Sequence, residues 1–579
     1  MDTEQARLGW ADYTVIALTM GVSAGVGVFY RFSGGRQRTT REYFSADNSM
    51  GVPTVAVALM VSFMSAITLL GLSTESYTYG AQFAAINLAY VIGTPVISYC
   101  YAPVFFNLGA VSAYEYLERR FGRAARLAAS FASWLQLLLY CGVVLYAPAL
   151  ALEATTGLPG DWSVVAVGLV CTFYSCVGGI KAVLVTDLFQ ALLMFASLLV
   201  VVAGAAQRVG GLGAILRIAA ENGRVQFDSF SPDPTVRHTW WGLLLGGLFI
   251  YVSVFGVNQV QVQRMMTLRD AAAARRAFLL NLPFLCGLSL LTCFSGLAIY
   301  SYYYDCDPLL AGRIDTPDML MPRYVMDSLS HLPGVAGLFV AGILSASLST
   351  MSAGLNSLAV ITLEDYAKPA FLSCAGRPLS ETRSLALGKL LTLLYGLACL
   401  ALAFGAKLLG GVLQASLTIF GAVGGPLLGV FTLGMLLERA DQTGAVVGLL
   451  ASLAFTLWMA FGQPKPLPLK LPLSVEGCDA QFLAPEVLRA ASRHSPVNDE
   501  DQSQYFYLYR ISYVWYGAIG FAVTILVGIV VSLLSRATRG DDVDEEELDP
   551  NLFFPIVARR IRRRRTRHLK TAELNERSH

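Results

Sequence analysis

Long apolar runs separated by short polar connections dominate the chain from one end to the other. A bilayer-spanning helix needs about 20 predominantly apolar residues. The runs that approach this length are about 11–30, 52–72, 82–106, 125–149, 162–180, 183–205, 240–262, 277–301, 333–360, 385–405, 410–437, 443–462 and 512–535. They predict an all-α polytopic membrane protein with about 13 transmembrane helices.

Composition supports this class and excludes several others. Of the 579 residues, 55% are hydrophobic and 14% are charged, whereas soluble proteins carry about 25% charged residues. The formal charge of +2 creates no field that would attract nucleic acid. No CxxC pair or metal-ligand spacing of histidines occurs, and the GxSxG match at 21–25 lies inside an apolar run. We predict no enzyme activity, no cofactor, no nucleic-acid partner and a lipid-bilayer environment.

Basic residues follow the first, third and seventh apolar runs, with Arg264 in the loop after the seventh, as is typical of cytoplasmic loops. With an odd number of spans, residues 1–10 are then extracellular and the charged tail 536–579 is cytoplasmic, on either side of a membrane domain over 11–535. The proline-rich loop 463–511 is extracellular, and the tail is expected to be disordered near anionic lipid. The segment after the sixth run argues against this orientation, because it contains Arg208, Arg217, Arg224 and Arg237.

Hydroxyl side chains inside the ninth run indicate a cation site. Ala346, Ser349 and Thr350 have i, i+3, i+4 spacing, which places two hydroxyls and a backbone carbonyl on one helix face. Neutral oxygens can coordinate a dehydrated sodium ion without burying a fixed charge. Serine and threonine also hydrogen-bond between membrane helices, so this pattern alone leaves a structural role open.

Residues 178–190, GGIKAVLVTDLFQ, form the most specific motif of the chain. They resemble the signature GGxxAVxxTDxxQ of the sodium/solute symporter family. Stretches that resemble its branch of monocarboxylate, multivitamin and iodide symporters lie at 114–121, 146–152, 256–264 and 362–365. The resemblance covers about residues 10–535. It implies two inverted five-helix repeats, about 52–205 and 240–437, each opening with a helix broken near the midplane.

The resemblance also implies ligand sites. The sodium site shared by the family would use the carbonyls of Val61, Met64 and Ala346 with the hydroxyls of Ser349 and Thr350. A second sodium site, present in some members, would consist of Ser65, Thr68, Tyr140 and Gln414. Members that move iodide carry glutamine in place of Thr68, and ordinary interhelical hydrogen bonds explain Tyr140 and Gln414 equally well.

The substrate pocket is expected beside the sodium, at the two helix breaks. By position its lining would be Phe63, Thr68, Tyr251 and Leu417. No arginine or lysine falls inside these spans, so an anion would be held by sodium, by hydroxyls and by helix ends. Asp187, a lone carboxylate of the signature beside Lys181, is expected at the cytoplasmic start of the sixth span, with a role in gating.

Together these features predict a sodium-coupled symporter that imports small organic monocarboxylates across the plasma membrane by alternating access. Biotin and pantothenate also present one carboxylate beside an apolar body, so a multivitamin transporter is the main alternative. An iodide, sugar or polyol symporter and an uncoupled channel or sensor stay open. The expected ligands are sodium, as coupling ion, and a small organic anion.

Cys306 and Cys478 are the only cysteines that the predicted topology places outside the cell. An oxidising exterior permits a disulfide. A bridge between the two long extracellular loops is the expected pairing. The alternative is two free thiols that lie beyond the reach of a disulfide.

Overall fold

The computed structural model describes residues 8–32, 43–44, 46–109, 111–406, 411–478, 502–539 and 548–578, and within these ranges it contains helices and no β-strand. The helices before residue 225 are α1 (Trp10–Phe32), α2 (Val52–Phe63), α3 (Ala66–Tyr79), α4 (Ala81–Leu108), α5 (Glu115–Arg120), α6 (Arg123–Thr156), α7 (Gly160–Cys176), α8 (Gly179–Val209) and α9 (Leu212–Glu221).

The remaining helices begin with a second bent pair and end in the charged tail. They are α10 (Gly242–Val257), α11 (Gln259–Met265), α12 (Ala271–Tyr303), α13 (Leu320–Leu329), α14 (Val335–Ala375), α15 (Glu381–Ala406), α16 (Val412–Leu436), α17 (Gln442–Phe461), α18 (Tyr507–Arg510), α19 (Tyr513–Thr538) and α20 (Pro555–Ser578).

Nine helices among the described residues are long and apolar enough to cross a membrane, and the bent pairs α2–α3 and α10–α11 raise the number to eleven. The other two predicted spans correspond to α1, which has 23 residues, and to the shorter apolar helix α7. Gly179 separates α7 from α8 with a φ angle of 61°, which glycine adopts without steric cost. α6, α14 and α16 are largely buried at the centre, whereas α15 and α19 are mostly exposed at the periphery.

Both predicted breaks are present. The axes of α2 and α3 differ by 59°, and those of α10 and α11 differ by 53°. At the second break, the extended residue Asn258 caps α11, because its side-chain oxygen accepts from the amide of Val260 at 2.9 Å. Each break interrupts helical hydrogen bonding in the protein interior, where freed backbone groups must find protein or ligand partners.

Gly296 on α12 permits the close approach of this helix to α3. A Cβ atom at this position would lie 2.2 Å from the carbonyl oxygen of Ser73, a backbone atom that cannot shift without displacing α3. We expect Gly296→Ala to lower the free energy of unfolding by about 1–3 kcal/mol, the usual cost of overpacking. Thermal unfolding of the detergent-purified protein measures this loss.

Gly287, on the same helix, is the matched control. A Cβ atom added there meets nothing within 4 Å. Gly287→Ala should be neutral or stabilising by up to about 1 kcal/mol, because alanine is the better helix former. Equal unfolding temperatures for the two variants would contradict the role given to Gly296.

Cys306 and Cys478 form a disulfide, as the sequence predicts, with their Cα atoms 4.9 Å apart. It joins the loop after α12 to the loop after α17, across a sequence separation of 172 residues. A backbone hydrogen bond from Gly477 to the carbonyl of Asp305, at 2.9 Å, ties the same two loops together. The two loops therefore form one linked unit on one side of the protein.

Labelling of intact cells tests both the bridge and its side of the membrane. A membrane-impermeant maleimide should react with Cys306 and Cys478 only after reduction, and the double variant with serine at both positions should lose that signal. Labelling without reductant contradicts the bridge. Labelling that requires access from the cytoplasm contradicts the predicted orientation.

Of the arginines that argue against the predicted orientation, one is buried and a second is half-buried in an ion pair. Arg224 is fully buried, donates to the carbonyl of Pro472 at 2.6 Å and lies over the ring of Tyr300. Arg237 pairs with Glu75 at 2.7 Å. The excess of cations in cytoplasmic loops concerns short loops near the membrane, so these two internal contacts are weak arguments about orientation.

The expectation of a disordered tail is wrong for residues 548–578. The amide of Phe554 donates to the carbonyl of Met435, near the end of α16, at 2.9 Å. Arg564 of α20 pairs with Glu438 at 2.9 Å. The buried side chain of Phe554 anchors this segment to the membrane domain. Phe554, Ala558 and Ile561 are all buried and have i, i+4, i+7 spacing, but the run of arginines around them led to the prediction of disorder.

Candidate functional site

The break between α2 and α3 frees backbone oxygens in the protein interior. Met64 and Ser65 have non-helical ψ angles of 85° and 178°. The amide of Ser65 therefore donates to the carbonyl of Phe63, at 3.0 Å, instead of to that of Val61. The Val61 carbonyl lacks its helical donor, and the Thr350 hydroxyl of α14 lies 3.5 Å from it.

The predicted cation-binding face of α14 is turned toward this break. Ala346, Ser349 and Thr350 are all buried, as are Val61 and Met64. The Thr350 hydroxyl donates to the Ala346 carbonyl at 3.1 Å, in addition to its contact with Val61. The structure thus brings the two halves of the predicted sodium site together, with carbonyls from both helices and hydroxyls from α14.

Asp187 adds a charge to this arrangement. It lies on α8, is fully buried, and accepts a hydrogen bond from the Ser349 hydroxyl at 2.5 Å. Its other carboxylate oxygen pairs with Arg264 of α11 at 3.0 Å. Because the Ser349 hydroxyl donates its proton to the carboxylate, the lone pairs of that oxygen remain available to a cation.

The predicted surroundings of Asp187 and Arg264 are therefore wrong. The sequence predicts a lone carboxylate at a helix start and an arginine in a basic loop, whereas both side chains are buried and paired. The partners are 77 residues apart along the chain. A buried charge requires a partner of opposite charge, but the sequence does not show which residue supplies it. A gating role for Asp187 stays a prediction.

The structure brings together two of the four residues predicted for a second sodium site. The hydroxyl of Tyr140 donates to the Ser65 hydroxyl at 3.5 Å. Thr68 is half-buried on the first turn of α3. Gln414 belongs to another group, because its side-chain oxygen accepts from Arg237 at 3.0 Å. The contact of Tyr140 with Ser65 fits an interhelical hydrogen bond as well as an ion ligand.

A cavity of about 20 Å³ lies between the two helix breaks, beside the predicted sodium site. Its lining combines aromatic, aliphatic, hydroxyl and amide side chains, and includes Phe63, Tyr140, Asn258, Gln261, Thr350 and Phe420. This volume accommodates about one water molecule. The helices are therefore closed around the expected substrate position.

Of the residues predicted to line the substrate pocket, only Phe63 is in the lining of this cavity. The Tyr251 ring packs against Phe255, which in turn contacts Phe63, so Tyr251 lies one layer behind. Leu417 is buried on α16, one turn before Phe420, which lines the cavity. Thr68 lies on α3 outside the lining. Position along a span does not indicate which face of the helix a residue occupies.

Gln261 lines the cavity, and no role for it was predicted from the sequence. Its side-chain amide donates to the Ser62 hydroxyl at 3.1 Å and to the Leu59 carbonyl at 3.3 Å, which joins α11 to α2. Its side-chain oxygen is buried and has no hydrogen-bond partner in the described part of the chain. An unmatched buried acceptor is costly. The sequence feature that could have indicated Gln261 is the alternation of glutamine with valine in residues 259–263.

A second charged cluster lies near the other end of α3. Glu75 pairs with Arg237 at 2.7 Å and with His238 at 3.0 Å. Arg237 also reaches Gln414 on α16. Arg237 is 162 positions from Glu75 and 177 positions from Gln414 along the chain. Local sequence patterns cannot predict contacts over such separations. The cluster connects α3 and α16 to the segment that precedes α10.

Comparison with known proteins identifies relatives along nearly the whole chain. The chain is 51% identical over 568 residues to a candidate sodium-dependent multivitamin transporter of Drosophila melanogaster, with 96% of this chain and 93% of that protein covered. It is 40% identical to sodium-coupled monocarboxylate transporter 1 of Homo sapiens, with 94% and 89% covered. The sodium/iodide cotransporter of Homo sapiens is 39% identical, with 96% and 87% covered.

The fold is similar to that of a Na+-coupled sialic acid symporter. The TM-score is 0.75 at 24% sequence identity, and the match covers 91% of this chain and 98% of the other. A profile of the sodium:solute symporter family matches residues 43–452. With this match and a relative that is 51% identical over nearly its whole length, the chain belongs to the sodium:solute symporter family.

Proposed function

We propose that this chain couples the inward movement of sodium to the import of a small organic monocarboxylate across the plasma membrane, by alternating access. The observation that carries the proposal is the meeting of the α14 hydroxyl face with the broken end of α2, where Thr350 lies within 3.5 Å of the carbonyls of Val61 and Ala346. The names of two relatives, which specify sodium-dependent multivitamin and sodium-coupled monocarboxylate transport, support this substrate class.

The donor atoms at this position suit sodium. Hydroxyl and carbonyl oxygens are hard, neutral ligands, and a carrier must bind its ion weakly enough to release it on the other side. Asp187 contributes a negative charge through Ser349, and Arg264 balances it. The ion therefore interacts with a compensated pair, so its own charge is not neutralised and it can attract an anionic substrate.

The substrate carboxylate is proposed to bind where α3 begins. Ser65 occupies the N-cap position but makes no side-chain capping hydrogen bond, so the first amides of α3 are available to an anion. Phe63 and Phe420 would contact the apolar body, and the free oxygen of Gln261 would accept a hydrogen bond from a hydroxyl or amide of the substrate. The cavity must widen for this, as alternating access requires.

The sodium gradient supplies the driving force. At a membrane potential of about 60–70 mV, one charge moving inward gains about 1.5 kcal/mol. A tenfold sodium gradient adds about 1.4 kcal/mol. Each sodium ion therefore supports roughly a hundredfold gradient of a neutral solute, and the charge of an organic anion offsets part of the electrical contribution.

The proposed orientation places residues 1–10 outside the cell and the tail 536–579 in the cytoplasm. The disulfide between Cys306 and Cys478 supports it, because disulfides persist in oxidising surroundings and both cysteines lie in loops assigned to the exterior. The segment after α8 is a weaker objection to this orientation, because Arg224 is buried and Arg237 is paired with Glu75.

A substrate panel tests the proposed function. Cells that express the chain are expected to show saturable, sodium-dependent uptake and current for lactate or butyrate, and none for glucose, myo-inositol or iodide. Cells that express the Thr350→Ala variant at equal surface level serve as the control. Sodium-dependent currents restricted to sugars, polyols or iodide would refute the proposal, and a current that does not saturate would indicate a channel.

A multivitamin transporter is the second candidate, and the 51% identity to the Drosophila relative favours it. Biotin and pantothenate each carry one carboxylate, so the same sodium and helix-end contacts apply. The panel separates the two candidates. Half-saturation at lower concentration for biotin and pantothenate than for lactate and butyrate would assign the chain to vitamins.

A further inference from the structure

A larger cavity, of about 330 Å³, lies outside the pocket between the helix breaks. We call it the outer cavity. It is bounded by the end of α3, the segment 226–238, the loop 465–471 and residues 509–516. Small-molecule sites typically have volumes of about 300–1,000 Å³. A small carboxylate or a vitamin therefore fits here, whereas the cavity of about 20 Å³ between the breaks has no room for it.

The outer cavity lies on the route to that inner pocket. Gln414 lines the outer cavity and Phe420 lines the inner one, and both belong to α16. They are six positions apart in the sequence, which corresponds to about 9 Å along a helix. α3 also extends from the inner pocket to the outer cavity. Its first residues adjoin the break between α2 and α3, and Tyr79 at its end lines the outer cavity.

Cations outnumber carboxylates in the lining of the outer cavity. Arg237, Lys465 and Arg510 line it, and Asp228 is the one lining carboxylate among the described residues. The charge of Arg237 is matched by Glu75, at 2.7 Å. Asp228 offsets one of the two remaining cations, Lys465 and Arg510, so the lining keeps a surplus of one positive charge, which favours an anionic ligand.

The surroundings of Lys465 favour the binding of an anion. Its ammonium donates to the carbonyl of Ala460 at 2.5 Å and to the hydroxyl of Tyr516 at 3.0 Å. An ammonium has three donors, so one remains. None of the ion pairs formed within the described ranges includes Lys465. Burial lowers the pKa of Lys465 to about 8, which reflects a partly desolvated charge without compensation.

The wall beside Lys465 suits the uncharged part of an organic anion. Tyr509, Tyr513 and Tyr516 contribute aromatic rings, and Pro466 adds an apolar surface. Aromatic rings with a polar tip bind amphipathic molecules because they offer both a flat apolar face and a hydrogen-bonding group. A molecule with one carboxylate and an apolar body matches both parts of this lining.

We propose that the outer cavity is a capture site for the organic anion, in which Lys465 binds the carboxylate and the tyrosines contact the body before the substrate moves to the helix breaks. The proposal rests on the proposed function of organic-anion import. It assigns to Lys465 a role in substrate recognition outside the sodium-coupled pocket. Sodium binding, which occurs at the break of α2, should not depend on this residue.

Lys465→Gln tests the capture site. The external half-saturation constant for the carboxylate substrate is expected to rise about tenfold, the typical worth of one charge-assisted hydrogen bond. Maximal uptake per surface molecule and half-saturation by sodium should stay within about twofold of wild type by the same reasoning. Lys470→Gln is the matched control, because Lys470 is exposed in the same loop and does not line the outer cavity.

Charge restoration separates recognition from a structural effect. External trimethylammonium-ethyl methanethiosulfonate should lower the half-saturation constant of Lys465→Cys, and the sulfonato-ethyl reagent should raise it, while wild-type protein treated in parallel is unchanged. Equal effects of both reagents, or an unchanged constant in Lys465→Gln, would overturn the capture site while import persists. Absence of any sodium-dependent carboxylate uptake by wild-type protein would refute the proposed function and, with it, this site.

Discussion

Replacement of Thr350 or Ser349 by alanine should raise the sodium concentration for half-maximal uptake roughly tenfold or more. Each variant removes one hydroxyl oxygen from the arrangement of α14 with the broken end of α2. Loss of one partner from a buried polar site costs about 1–3 kcal/mol. Sodium-activation curves of substrate uptake, normalised to surface protein, measure the shift.

Ser347→Ala is the matched control for these variants. Ser347 lies on the same helix and is equally buried, but its hydroxyl donates to the carbonyl of Val144 on α6, at 3.3 Å. We expect sodium activation of this variant to match that of wild type. If both Ser349→Ala and Thr350→Ala keep wild-type sodium activation at normal surface expression, the sodium site lies elsewhere.

Replacement of Asp187 by asparagine is expected to produce the other large effect, a loss of turnover with external substrate affinity close to wild type. Asparagine can still accept from Ser349, but Arg264 loses its counter-charge. Removing one partner of a buried ion pair costs about 3–5 kcal/mol. The conformations that contain the intact pair should therefore lose stability relative to the others. Uptake rates per surface molecule and substrate half-saturation measure the two quantities.

Two further variants test whether the loss of turnover arises from breaking the ion pair between Asp187 and Arg264. Asp187→Asn combined with Arg264→Gln removes both charges and should recover part of the thermal stability that the single variant loses. Glu364→Gln affects a more exposed pair with Lys368, worth at most about 1 kcal/mol, and should leave turnover nearly unchanged. Wild-type turnover in Asp187→Asn would instead favour a helix-terminal charge without a role in gating.

The features that the sequence predicted well are those that depend on residues close together in the chain. Apolar runs of bilayer length predicted the transmembrane class, because a helix in lipid must satisfy its own backbone. The i, i+3, i+4 spacing of Ala346, Ser349 and Thr350 placed them on one helix face, and the signature at 178–190 indicated the family that the comparisons establish. The disulfide followed from topology and cysteine placement.

Contacts between distant segments were decided only by the tertiary structure. Asp187 and Arg264 are 77 residues apart, and Arg237 meets Gln414 across 177 residues. Each of these residues had several chemically suitable partners in the chain, and helix packing selects one of them. The sequence consequently assigned Gln414 to a sodium site and Arg264 to a loop.

The sequence by itself therefore determined the class of protein, the approximate spans and the hydroxyl-bearing face of α14, since helical periodicity and apolar length are local properties of the chain. Only the tertiary structure decided which residues line the inner and outer cavities, which partner compensates Asp187 and where the tail packs. The physical reason is that a buried charge or a cavity wall is assembled from several helices, and its energy depends on distances that no local pattern encodes.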